Sequence, residues 1–116
     1  MLILDEHDGS RTATCLSLRA AGFVCATAND GAGALSLLDS FQPQAVVYEF
    51  SFRSGALIGF ARTLRERAGY PLLIVAASVL DEPPEFCRRE SVDAYFTKPF
   101  AMRDLKAALK RRPSAS

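Results

Sequence analysis

The chain has no tryptophan, one histidine and three cysteines, and each scarcity removes a class of function. With His7 alone there is no pair of imidazoles for a zinc or iron site, and no positioned nucleophile accompanies it for hydrolytic chemistry. Flanked by Glu6 and Asp8, His7 reads as a solvated loop residue. Cys15, Cys25 and Cys87 lack the paired spacing of a zinc or redox motif and read as reduced packing residues. No apolar run approaches the roughly 20 residues that cross a bilayer, and no basic segment followed by an apolar one opens the chain. The expectation is a cytoplasmic protein without membrane contact. A net charge of +1 leaves no dominant attraction to nucleic acid, so none is expected for this domain. Lys106, Lys110, Arg111 and Arg112 complement the dipole at the end of the last expected helix. Arg62, Arg65 and Arg67 read as the solvent face of another.

What is present is a core-forming balance: 49% hydrophobic and 23% charged residues over 116 positions, enough for one domain. Short apolar runs at 2–5, 23–28, 44–49, 71–76 and 92–96 read as strands. Segments of helical period lie between and after them at 9–21, 31–40, 55–68, 84–90 and 101–111. Such βα alternation predicts an α/β fold with a parallel sheet covered on both faces. In the first helix Ala13, Leu16, Ala20 and Ala21 share a face, Ser10 or Asp8 can cap the start, and Gly22 ends it. Gly69 and Pro71 stop the third. The domain spans 1–112, and Pro113-Ser114-Ala115-Ser116 reads as a frayed tail or the start of a linker.

Charged residues gather where a parallel α/β sheet places its ligands, beyond the carboxyl ends of the strands. Asp5 and Glu6 follow the first strand, Glu49 closes the third and Lys98 follows the fifth. The residues themselves leave two readings open: a hydrated acidic rim, or a pocket in which Lys98 relieves the repulsion of three carboxylates. Gly31-Ala32-Gly33 does not complete a dinucleotide-binding pattern, because Ser36 stands at the third glycine. Asp5-Glu6-His7-Asp8 would repel a cofactor phosphate. A flavodoxin-like cofactor-binding protein is therefore a distant alternative.

Leu2-Ile3-Leu4-Asp5-Glu6 is a strand ending in an acidic pair, Ala21-Gly22-Phe23 and Asn29-Asp30-Gly31 border a second strand, and Val92 through Phe100 is a strand that runs into Lys98-Pro99. Together these segments resemble response-regulator receiver domains, the phosphorylated modules of two-component signalling, and are similar to that family's first strand and acidic pair, its second-strand borders, and its last strand with the lysine-proline signature. The resemblance runs without an indel from Leu2 to about Arg111. It implies a flavodoxin-like (βα)5 three-layer sandwich with strand order 2-1-3-4-5, and a cis bond before Pro99.

The resemblance also locates departures. Glu49 stands at the phosphoacceptor position usually held by aspartate, and Ala76 at a position usually bearing a hydroxyl; Arg53 and Leu57 replace a usual proline and glycine. Receivers hold Mg2+ with residues matching Asp5, Glu6 and Glu49 and a backbone carbonyl matching Ser51. Glutamate reaches one methylene further than aspartate, so only weak Mg2+ binding is implied. The implied protein is an atypical receiver in phosphorelay signalling, not an enzyme, with a phospho-accepting receiver of weakened chemistry as the alternative. In receivers the residue matching Ala76 works with the aromatic matching Tyr95 as a switch. Without a hydroxyl at Ala76, a link from pocket to Tyr95 is expected to be steric, with the ring turned inward.

The partner surface implied by the resemblance comprises the fourth helix, fifth strand and fifth helix, including Tyr95, Phe100, Met102 and Arg103. Its partners would be a histidine kinase, an output domain or another regulator. A homodimer there would use ion pairs from the residue matching Asp93 to a basic one late in the last helix. Ala108 occupies that basic position, which favours a different partner or arrangement.

Overall fold

A computed structural model describes residues 1–49, 59–79, 87 and 92–110. Its strands are β1 (Leu2–Asp5), β2 (Ala26–Ala28), β3 (Ala45–Glu49), β4 (Leu73–Ser78) and β5 (Ala94–Thr97), all parallel, in the order β2-β1-β3-β4-β5. The described helices are α1 (Asp8–Ala20), α2 (Gly31–Phe41), α3 (Phe60–Ala68) and α4 (Met102–Leu109), the last being the fifth expected from the sequence. The expected helix at 84–90 lies outside the described residues except for Cys87, as do Ser51, Arg53 and Leu57.

Every residue of β1, β3 and β4 is buried, which is what helices on both faces of a sheet require. Side chains alternate across the sheet with a period of two. Leu2, Leu4, Val46, Tyr48, Ile74 and Ala76 pack with Ala34 and Leu38 of α2 and Ala61 and Leu64 of α3. Ile3, Val47 and Val75 pack on the other face with Cys15 and Leu18 of α1 and Leu105 and Ala108 of α4. The expected α/β sandwich and strand order are both present. All three cysteines are buried as thiols.

Several expectations are corrected by packing. In α1 the buried stripe is Thr14, Cys15 and Leu18, whereas Ala13, Ala20 and Ala21 are exposed and Leu16 is 62% exposed. Small alanines gave the expected face too much weight. Neither Ser10 nor Asp8 caps the helix; His7 occupies the cap position and makes no side-chain capping bond. Gly22 does terminate it: at φ 95° the N–H of Gly22 reaches the Arg19 carbonyl and that of Phe23 reaches Leu18, satisfying the last carbonyls. β2 is shorter than expected because its ladder with β1 begins at Leu2↔Ala26. β4 is displaced by two residues, running from Leu73 to Ser78. Pro71 has no N–H to give a ladder, and the pairing with β3 begins at Ala45↔Leu73.

Arg65 is the clearest departure, since it is not on a solvent face. Its side chain is 9% exposed and donates to the Leu72 carbonyl at 3.1 Å and to Asp93 at 3.1 Å. Asp93 also accepts the Ile74 N–H at 2.8 Å, so one carboxylate ties α3, β4 and the approach to β5 together. Arg67 pairs with Asp39 of α2 at 2.7 Å, but both of its groups are half-exposed. Breaking a buried pair leaves an uncompensated charge, whereas an exposed pair contributes little. Arg65→Ala is therefore expected to lower unfolding free energy by roughly 3–5 kcal/mol. Arg67→Ala should cost much less, with both variants compared by urea denaturation.

Candidate functional site

The pocket is built by strand register. Asp5 ends β1 and Glu49 ends β3, and the two are direct partners across the parallel ladder. Both have the parity of Ile3 and Val47, so both side chains rise on the face covered by α1. Asp5 is 1% exposed and Glu49 2%, an unusual burial for neighbouring acids. One oxygen of Asp5 accepts the His7 N–H at 2.9 Å. One oxygen of Glu49 receives the Thr14 hydroxyl at 3.5 Å and faces the Lys98 ammonium at 3.7 Å. The second oxygen of each acid is buried without a conventional donor.

That arrangement perturbs Glu49. Burial, followed by hydrogen bonding to the Asp5 carboxyl, pushes its pKa up to about 8; Lys98 opposes the shift and does not overcome it. Two buried acids side by side keep one proton between them when no cation is supplied. Glu6 lies just beyond β1 and is exposed, whereas Asp5 and Glu49 are buried and Lys98 faces Glu49. The Lys98–Pro99 peptide is cis. A larger cavity of about 870 Å3, lined by Phe23, Val24, Pro43 and Tyr70 among others, lies at the opposite end of the sheet and contains none of these charges.

Acids at the carboxyl ends of β1 and β3, with a lysine after β5 and a cis proline next to it, make a recognisable constellation. The response regulator receiver domain family matches residues 1–110. This chain belongs to that family. It is 28% identical over 112 residues to the sensor histidine kinase RcsC of Escherichia coli, covering 94% of this chain and 12% of RcsC. It is 25% identical over 112 residues to the DNA-binding response regulator MtrA of Mycolicibacterium smegmatis, covering 97% of this chain and 49% of MtrA. The chain thus spans half or less of these relatives. Among solved structures, the chemotaxis protein CheY4 of Vibrio cholerae superposes with a TM-score of 0.81 at 19% identity, over 96% of this chain and 95% of that one. A receiver domain from Bermanella marisrubri gives 0.80 at 24% identity, over 93% and 92%.

Within this receiver, Ala76 lies beside Tyr95 in the β4–β5 ladder, buried and without a hydroxyl. The sequence reading missed Ser78. It is fully buried at the end of β4, and its hydroxyl stands 2.5 Å from the Tyr95 hydroxyl. Its carbonyl accepts the Lys98 N–H at 2.7 Å. The expected purely steric link to Tyr95 is therefore corrected: a hydrogen-bonded residue joins the Tyr95 ring to the backbone of Lys98. Tyr95 is half-buried against the core face that contains Ala76. The displaced end of β4 was the signal, since a strand read as stopping at Ala76 cannot bring Ser78 to this position.

Mg2+ prefers hard oxygen donors, and the two buried carboxylate oxygens without donors suit a cation in place of the shared proton. Asp5 and Glu49 are the residues that would hold it. Among the described residues no group of three or more His, Cys, Asp or Glu side chains is assembled for a metal, and Ser51 lies outside them. The fit is that of a weak site.

A carboxyl raised to about 8 binds its proton more tightly in the folded than in the unfolded chain. Stability should fall as pH rises from about 4.5 to about 8 and then level off. Thermal melts in chelator will show that slope, and Glu49→Gln should flatten it. Ser78→Ala is expected to cost about 1 kcal/mol and to shift the Tyr95 ring resonances, as read by denaturation and NMR.

Proposed function

We propose that this receiver domain signals through protein contacts and has lost the ordinary aspartyl phosphorylation chemistry. The carrying observation is Glu49, buried at the end of β3 beside Asp5, with Ala76 offering no hydroxyl to a phosphoryl group. Receivers are signalling modules of two-component pathways, pairing with histidine kinases and output domains. Phosphoryl transfer rests on placement and charge stabilisation. One added C–C bond moves the nucleophile by roughly 1.5 Å, and about 1 Å of misplacement can cost a hundredfold. Losing the hydroxyl removes on the order of 1–3 kcal/mol more. Acceptor activity is lowered by roughly a thousandfold if the two effects are independent.

Even when deprotonated, Glu49 would imitate only part of a phosphoryl group, which carries about −1.5 to −2, and with its pKa pushed up to about 8 it is largely protonated at neutral pH. The Ser78–Tyr95 contact supports a resting state in which the ring is held inward. The contact face is the one that includes Tyr95, Phe100, Met102 and exposed Arg103. Asp93 is engaged by Arg65 within the chain, which supports a heterologous partner over a homodimer built on Asp93 ion pairs. The identity of the kinase, output domain or regulator belongs to this proposal, as does any weak Mg2+ bound by Asp5 and Glu49.

Acetyl phosphate or beryllofluoride with Mg2+ should leave the protein unchanged, as followed by adduct mass and amide NMR. Glu49→Asp combined with Ala76→Thr should restore phosphorylation at least in part, each single change doing much less. A stoichiometric adduct on unaltered Glu49, or pocket shifts saturating at micromolar beryllofluoride, would overturn the proposal.

A further inference from the structure

The cavity of about 870 Å3 at the amino ends of the strands, opposite the acidic pocket, is in the size range of small-molecule sites. Three connections wall it: Phe23 and Val24 between α1 and β2, Phe41 and Pro43 between α2 and β3, and Tyr70 between α3 and β4. Leu109, at the end of α4, adds a fourth side. Among the described residues no charged side chain lines it, in a chain that is 23% charged. Its apolar side chains are only partly covered: Phe23, Phe41, Tyr70 and Leu109 are half-buried, and Val24 is 74% exposed. Single exposed apolar residues are ordinary, but several gathered in one concavity mark a binding site.

The lining selects the guest. A charged molecule would lose its water here and find no opposite charge, so the guest is neutral. Phe23, Phe41 and Tyr70 offer ring faces and edges, and a flat aromatic guest gains ring-pair contacts that an aliphatic one of the same size does not. Tyr70 also supplies one polar point. Its hydroxyl donates to the Pro43 carbonyl at 2.6 Å, which fixes the ring against the wall. The same oxygen keeps lone pairs for which the described residues supply no donor. A guest carrying one N–H group meets that acceptor.

We propose that this cavity binds a neutral, flat aromatic molecule carrying one hydrogen-bond donor. Its rings lie among Phe23, Phe41 and Tyr70, and its donor meets the Tyr70 oxygen. The site is at the far end of the sheet from Glu49 and Lys98, goes beyond the signalling function proposed above and does not depend on it.

The test is an amide NMR titration of the full chain with indole. It should give saturable shifts at Val24, Gln44 and Tyr70 and none at Glu49 or Lys98, with millimolar or tighter affinity. N-methylindole lacks the donor and cyclohexylmethanol the aromatic ring, and each should bind more weakly by about threefold or more. Indole-3-acetate carries a charge and should bind at least tenfold more weakly. Val24→Asp places a charge at a position exposed enough to leave folding intact, and should weaken indole tenfold or more. Tyr70→Phe should weaken indole and leave N-methylindole unchanged, whereas Arg103→Ala, outside the lining, should change neither. If Tyr70→Phe does not fold, the ligand series on the unaltered chain and Val24→Asp decide the matter. Absence of saturable shifts with indole up to its solubility, equal binding of N-methylindole or indole-3-acetate, or shifts confined to Thr14, Lys98 and Phe100 would overturn the proposal. So would a dimer whose formation alone shifts Val24 and Tyr70, since a second copy would then cover this face.

Discussion

The structure turns on the lateral pairing of Asp5 with Glu49 across β1 and β3. Parallel register at the centre of the sheet puts two acids side by side, and α1 closes over them so that neither is solvated. Repulsion between buried carboxyls must be met by a proton, a cation or an ammonium. Lys98 supplies the ammonium, but at 3.7 Å it does not settle the account alone. The pocket is therefore a place where binding or protonation changes the electrostatics of the domain, whatever its partner.

From that pocket a short chain of contacts leads outward. Lys98 is held through its backbone by Ser78, and Ser78 holds the Tyr95 hydroxyl. Each link is a hydrogen bond between adjacent strands, so a change in the Lys98 turn has a direct route to the Tyr95 ring. Elsewhere at the same edge, Arg65 and Asp93 fasten α3 to β4 and β5. The buried pair ties α3 to the sheet beside Tyr95 and engages Asp93 within the chain.

Family membership accounts for the fold and for the broad role in two-component signalling. The proposed loss of phosphoryl chemistry rests instead on Glu49 at the end of β3 and Ala76 in β4, with Asp5 and Lys98 still beside the former. On that proposal the domain is read through its surface.

The sequence by itself determined the alternation of strands and helices, the strand order through the family resemblance, and the placement of Asp5, Glu49 and Lys98 at strand ends. These follow from local patterning and from motifs a few residues long. Tertiary structure decided which charges are buried. Glu6 and Asp5 are adjacent in sequence, yet only Asp5 has the strand parity and register that bring it to Glu49. Arg65 and Arg67 look alike on a helix, yet only Arg65 meets a buried carboxylate from a distant segment. The α1 face and the role of Ser78 were likewise hidden, because burial and strand ends depend on which neighbours complete the ladder. Long-range packing sets those neighbours, and no local pattern encodes it.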